Sequence, residues 1–220
     1  QASALLRAEL AVQVLADGGH EERSPTYHQT LLDRLLDLCL ALQHDRFHGD
    51  RWHTDAGLLP FLTERAGRML GWLRAITFAN GDVPMVNDAA WHVAPTTAQL
   101  LAKARRLGWP DVPAATLSDS GYRMLTGPRY QLLADVGAVG PDHQPGHAHA
   151  DTLAFVLYVD GRPVLVDAGT STYQAGPRRA WERSTAAHNT VTVDGQNSSE
   201  VWATFRVGRR ARPTVLTDTD

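Results

Sequence analysis

Apolar positions recur with a helical period from the first residues to about residue 107. Leu5, Leu6, Leu10, Val12 and Val14 open the chain inside one such pattern, and Leu31, Leu32, Leu35, Leu36, Cys39 and Leu42 form one stripe over residues 28–43. Just after Pro25, Thr26 and Gln29 match a capping box for that helix. A further helix is predicted over residues 58–78, through Leu62, Met69, Leu70, Leu73 and Ile76, stopping at Asn80-Gly81-Asp82. Another is predicted over 96–107, closed by Gly108 and Pro110.

Beyond about Leu117 the period changes to two. Residues 122–125 and 130–136, joined by Thr126-Gly127-Pro128, predict a hairpin. The β-rich run 152–159, the turn signal Asp160-Gly161 and a returning strand over 163–166 predict a second. Residues 188–193, closed by Asp194-Gly195, predict one more short strand. Helices first and strands afterwards, with no alternation, predict segregated α and β parts, an α+β chain rather than a doubly wound parallel sheet. The natural boundary falls at residues 110–115, dividing a helical part, 1–112, from a sheet part, 113–220.

At 220 residues, with 43% hydrophobic and 20% charged residues, the chain is long enough for a sizeable core and ordinary in composition. A formal charge of −3 gives no support for nucleic-acid binding, and the basic run Arg206, Arg209, Arg210 and Arg212 is explained by a solvated strand edge. No stretch approaches the ~20 apolar residues of a membrane span, and no basic-then-apolar leader opens the sequence. The start inside a helical pattern and the end at Thr217-Asp218-Thr219-Asp220 read as a piece of a longer protein. The single cysteine, Cys39, excludes an internal disulfide and a thiolate metal site.

The chemistry concentrates in Gly146-His147-Ala148-His149-Ala150-Asp151, in Asp167 and in His188. If the first segment is extended, His147 and His149 project from one face, about 7 Å apart at roughly 3.3 Å rise per residue. The predicted hairpin returns Asp167 beside them, and His188 arrives from a neighbouring strand. Two imidazoles and a carboxylate suit Zn²⁺, with one position left for water or another ligand. A cupin-type barrel also uses His-x-His with a later carboxylate, although its carboxylate follows much sooner than Asp167 does. Separately hydrogen-bonded strand histidines are the plain alternative for any one of these residues.

These residues resemble a known family. The Gly146–Asp151 run, Val166-Asp167-Ala168-Gly169-Thr170-Ser171-Thr172-Tyr173 and Arg183-Ser184-Thr185-Ala186-Ala187-His188-Asn189-Thr190-Val191 are similar to the C-terminal module of heparinase II/III-type polysaccharide lyases. Upstream, Asp17-Gly18-Gly19-His20-Glu21-Glu22-Arg23-Ser24-Pro25-Thr26-Tyr27-His28 resembles the segment with that family's catalytic tyrosine. The resemblance implies incomplete (α/α) toroid helices followed by an antiparallel β-sandwich. It also implies β-elimination on a uronate-containing, anionic polysaccharide.

On this match Tyr27 and His147 are the acid–base pair, and His149, Asp167 and His188 are ligands of a structural divalent ion, zinc being the expected one. Asp151 is expected as an orienting acceptor, and His20 and Arg183 as groups meeting the polymer. A tyrosine with a reference pKa of about 10 suits the role of acid to the leaving oxygen, with a base role also open for one C5 epimer. The family's neutraliser of the uronate carboxylate, an Asn or His, lies on an earlier toroid helix. Only 26 residues precede Tyr27, so these residues alone are expected to be weakly active or inactive. Relatives imply a periplasmic or secreted location. A metal-dependent glycan hydrolase and a non-catalytic carbohydrate-binding or exopolysaccharide assembly protein are the rival readings.

Overall fold

The computed structural model describes residues 1–44 and 55–218, so Thr219 and Asp220 lie outside the described residues. Four helices come first. Helix α1 spans Ala2–Gln13, α2 Pro25–His44, α3 Leu58–Ile76 and α4 Thr97–Arg106. Proline suits the first position of α2, since its ring presets φ and its missing N–H would have had no helical partner. The predicted stripes become the packed faces: Leu32, Leu35, Leu36 and Cys39 of α2 meet Leu62, Ala66, Met69, Leu70, Leu73 and Ile76 of α3, with Leu100 and Ala104 of α4 beside them. Each such leucine contributes about 2 kcal/mol by leaving water.

One helix signal was misplaced. Thr26 does not cap α2, because Pro25 already begins the helix. Its hydroxyl accepts from Ala90 N at 2.9 Å and faces Ala90 O at 3.3 Å, tying the helix start to a distant loop. The capping box forms instead at α4, where Thr96 and Gln99 satisfy each other's backbone amides.

The second half forms an antiparallel sheet in the order β1-β2-β3-β4: β1 Tyr122–Thr126, β2 Tyr130–Asp135, β3 Phe155–Val159 and β4 Arg162–Leu165. Asp160 and Gly161 both have positive φ, 50° and 71°, as a two-residue hairpin turn between twisted strands requires. After a short helix, α5 (Pro177–Glu182), a two-stranded ribbon pairs β5 (Val201–Trp202) with β6 (Arg206–Val207).

Two expected strands are shorter or absent. Residues 152–154 turn, with Leu153 at φ 64°, before β3 begins. Residues 188–193 build no ladder. A 3-10 turn over Thr185–Ala187 precedes them, and the Asn189 side-chain amide donates to Phe155 O at 3.0 Å and Val166 O at 2.9 Å. That side chain takes the place of a neighbouring strand, so an apolar, β-branched composition was no guide to backbone pairing here. Residues 146–150 are likewise irregular rather than extended.

Helices and sheet share one core: Tyr122, Leu133, Val156 and Tyr158 pack with the helical residues, and Phe78 stacks on Tyr158 with ring centroids 3.9 Å apart. Polar bonds fix the seam. Asp17 Oδ2 accepts from Asp119 N, Ser120 N and Ser120 Oγ, and Trp72 Nε1 donates to Ser120 Oγ at 2.8 Å. Asn87 donates to the Tyr122 hydroxyl and to Arg23 O, while its own carbonyl receives His149 N at 3.1 Å.

At Gly169 the loop after β4 presses on the segment that carries Asn87 and Asp88. Its φ is +58°, and a Cβ there would lie 2.4 Å from Ala89 O. Gly169→Ala is therefore expected to lower stability by about 2 kcal/mol or more in urea denaturation. A change within about 0.5 kcal/mol would show that this approach is not tight.

Candidate active site

Tyr27 sits in the first turn of α2, and His147 reaches it from the irregular loop after residue 140. Their ring centroids are 4.1 Å apart. The Tyr27 hydroxyl lies 2.7 Å from that of Tyr173, and Tyr173 and Phe205 pack edge-on to His147 with centroids 6.2 and 5.9 Å away. A groove of about 610 Å³ opens beside Tyr27, lined also by His20, Glu22, Arg34 and His143. His147 Nε2 and His20 Nδ1 each lie 3.9 Å from Glu22 Oε2.

The residue that organises this cluster is Asp88, whose side chain is fully buried. Its Oδ2 is 2.9 Å from His147 Nδ1 and its Oδ1 2.8 Å from His149 Nε2. Arg179, on α5 and 1% exposed, spans both oxygens, with Nη2 at 2.8 Å from Oδ2. The guanidinium is itself held by Thr170 Oγ1 and Thr204 O. Burial raises the Asp88 carboxyl pKa, yet the bonds from His147, His149 and Arg179 prevail and hold it well below the usual carboxylate range.

The phenol of Tyr27 is pushed above its ordinary value. Burial is the largest cause, the bond from Tyr173 opposes it, and the charges of Asp88 and Glu22 add to it. Burial also raises the Glu22 carboxyl, against the pull of His147. Burial, with His147 nearby, lowers His20 to about 4, so its ring is neutral at pH 7.

His149, Asp167 and His188 meet in a deeper, separate cluster. The His149 and His188 ring centroids are 5.3 Å apart, and Asp167 Oδ2 receives His188 Nδ1 at 2.7 Å while Oδ1 receives Gly169 N. The His149 Nδ1 and His188 Nε2 atoms are buried and without a hydrogen-bond partner, as is Asp151 Oδ2. Imidazole nitrogens left bare while the opposite nitrogen rests on a carboxylate have the chemistry of ion ligands. The side chains as placed do not converge, however, and no group of three His, Cys, Asp or Glu residues arranged to hold an ion occurs among the described residues. Binding would require Asp167 or His188 to turn.

Arg183 does not face solvent. It is 1% exposed and donates to Ala148 O, Trp202 O and Ala203 O, so it ties the histidine loop to the β5–β6 turn and is closed to an anionic polymer. A basic residue beside a histidine motif reads as a ligand group from sequence, but carbonyl oxygens left without partners in a folded loop attract it equally well. Asp88, Arg179 and Phe205 escaped the sequence reading. The one signal for Asp88 was the polar pair Asn87-Asp88 interrupting the apolar run from Val83 to Ala90.

Family models described as heparinase II/III N-terminus and heparinase II/III-like, C-terminal match residues 1–110 and 110–220. A heparin-sulfate lyase of Pedobacter heparinus is 26% identical over 88% of this chain and 31% of its own length. An alginate lyase of Stenotrophomonas maltophilia is 34% identical over 24% of this chain and 8% of its own. The crystal structure of the heparan sulfate lyase HepC from Pedobacter heparinus superimposes with a TM-score of 0.68 at 23% identity, covering 89% of this chain and 33% of that one. A crystal structure of heparinase III gives 0.64 at 20% identity, with 90% and 37% covered. The chain thus spans about a third of the length of the heparin-sulfate lyase and of the two solved structures, and the likeness to those structures shows a shared fold, toroid helices followed by antiparallel sheet.

Beneath the Tyr27 turn, His28 supports the groove wall. Its Nδ1 accepts from His20 N at 3.3 Å and its Nε2 donates to Met69 O at 3.0 Å, a pairing only the neutral ring can make. Burial foremost, then His20, lowers it to about 3. Below about pH 6.5 the unfolded chain therefore binds a proton that the folded one refuses, and stability falls as pH drops toward 3, by up to about 1.4 kcal/mol per unit. Urea midpoints between pH 7 and 5 are expected to decline less steeply in His28→Gln; parallel slopes would rule His28 out as the cause.

Proposed function

Because this chain belongs to the heparinase II/III family, we propose that it carries the proton-transfer pair of a polysaccharide lyase that cleaves a uronate-containing chain by β-elimination. The observation that carries this reading is the contact of the Tyr27 and His147 rings, centroids 4.1 Å apart and tilted by 34°, with Tyr27 lining an open groove. Two groups able to exchange protons, one aromatic alcohol and one imidazole, stand there together within reach of one sugar linkage. The relatives' names supply the substrate class: heparin or heparan sulfate for two of them, alginate for another.

In the proposed reaction His147 removes the C5 proton, and Tyr27 gives its proton to the departing 4-linked oxygen. The raised phenol pKa opposes a phenolate base role, since the group enters the reaction protonated. Tyr173, whose own pKa is raised by burial and by its bond to Tyr27, donates toward the phenolate that results. The Arg179 guanidinium lies 5.2 Å from the Tyr173 ring centre and adds positive field on that side. His20, neutral and at the groove wall, meets the sugar through a hydrogen bond rather than a charge.

The remaining assignments belong to the same proposal. Residues 1–112 are the closing part of the toroid and 113–220 the opening part of the sandwich, supported by the end of α4 at Arg106 and the start of β1 at Tyr122. A divalent ion, zinc, would be held by His149, Asp167 and His188, supported by the two bare imidazole nitrogens. It would fix the loops at the cleft floor and take no part in proton transfer. No helix among the described residues is long and apolar enough to cross a membrane, and a periplasmic or secreted place follows the family.

Given to the full-length protein, heparan sulfate, heparin and alginate oligosaccharides are expected to yield products with the near-ultraviolet absorbance of a 4,5-unsaturated end. Tyr27→Phe and His147→Ala should each reduce product at least about 10²-fold. Cleavage without that absorbance would replace the lyase reading with hydrolysis, and binding without cleavage would replace it with a carbohydrate-binding role.

Elemental analysis of protein purified without chelator is expected to find about one zinc per chain. Its removal should lower Tm by several degrees without abolishing product formation in the cold. Loss of turnover with unchanged Tm would assign the ion to the chemistry instead.

A further inference from the structure

We propose that Asp88 is a positioning residue for His147: it holds the imidazole as the Nδ1–H tautomer and so makes Nε2 the nitrogen that exchanges the proton with substrate. The proposal rests on the lyase reading only for what Nε2 reacts with, because the tautomer is a property of the free protein.

The argument is one of donors and acceptors. Asp88 faces the Arg179 guanidinium with both oxygens, and a carboxylate paired in this way has only acceptor sites to offer. Each imidazole nitrogen that touches it must bring the hydrogen. His147 therefore places its hydrogen on Nδ1, 2.9 Å from Oδ2, and His149 places its own on Nε2, 2.8 Å from Oδ1. A neutral His147 then has its lone pair on Nε2, which lies 3.9 Å from Oε2 of Glu22, a residue of the groove wall.

The arrangement is rigid at every point. The Asp88 backbone N–H donates to His147 O at 3.1 Å, so the two residues hold each other through main chain and side chain. Arg179 is braced by Thr170 Oγ1 and by two bonds to Thr204 O, which stops the carboxylate from rotating away. The side chain of His147 remains 21% exposed while that of Asp88 is fully buried, so substrate can meet the imidazole but not the carboxylate. Asp88 thus acts through His147 and does not touch the sugar.

The test reads the tautomer directly. Long-range ¹H–¹⁵N correlation spectra of the ¹⁵N-labelled protein at mildly alkaline pH, with His147 assigned by its loss in His147→Gln, are expected to show protonated Nδ1 and bare Nε2. In Asp88→Asn an amide N–H₂ competes for the imidazoles, and His147 is expected to lose its single tautomer. In the full-length protein the same substitution should lower kcat at least about 10²-fold with KM changed by less than about threefold.

A wild-type His147 carrying its hydrogen on Nε2 would overturn the proposal, and that spectrum decides the matter even if Asp88→Asn fails to fold. Loss of kcat in Asp88→Asn with the Nδ1–H tautomer intact would also overturn it, as a merely structural role would behave so. Absence of unsaturated product from the full-length wild-type protein would sink the lyase reading alone, since the spectrum reports the tautomer independently of turnover.

Discussion

A single buried carboxylate holds the two halves of the cleft together. Asp88 comes from the segment that follows α3, the two imidazoles come from the loop before β3, and Arg179 comes from α5. Taking a carboxylate and a guanidinium out of water costs several kcal/mol per ion, and the cost is offset only when the remaining lone pairs are filled with good geometry. Here donors from His147, His149 and Arg179 fill them. The charge balance therefore demands that three separately encoded segments arrive together, and it makes this region intolerant of losing any one of them.

From that anchor the rest of the cleft follows outward. His147, fixed from behind, presents its face to Tyr27 and its edge toward Tyr173 and Phe205. Arg179 lies 5.2 Å below the Tyr173 ring and 5.8 Å from that of Phe205, so the cation that balances Asp88 also props the aromatic wall. The second buried pair, Asp167 with His188, repeats the motif of carboxylate behind imidazole one layer deeper. Arg183, turned inward onto the carbonyls of Ala148, Trp202 and Ala203, closes the layer between them. Burial rather than charge complementarity is what sets the Tyr27, Glu22 and His20 protonation states, each being moved toward its neutral form.

Much of the fold was legible because periodicity reports burial. The stripes at Leu32, Leu35 and Leu36 and at Leu62, Met69, Leu70 and Leu73 became buried helix faces, and Asp160-Gly161 became a hairpin turn with the backbone angles those residue types favour. Periodicity failed where a side chain substitutes for a strand. Residues 188–193 look β-branched and apolar, yet Asn189 satisfies the sheet edge alone, and Val191 and Val193 are left exposed. It failed too at Thr26, whose hydroxyl had a partner 64 residues away that no local motif reveals.

The amino-acid order by itself determined which chemistry is present: an alcohol at Tyr27, clustered imidazoles at 147, 149 and 188, and carboxylates to accompany them, on helices followed by strands. These are properties of local spacing, and local spacing is what a linear pattern records. Only the tertiary structure decided which partner each group has. Asp88 is 59 residues from His147 and 91 from Arg179, and whether Arg183 points to solvent or to carbonyls depends on a turn 20 residues on. Pairings over such separations are fixed by desolvation and hydrogen-bond satisfaction in the assembled core, where a buried polar atom is costly unless it finds a partner in three dimensions.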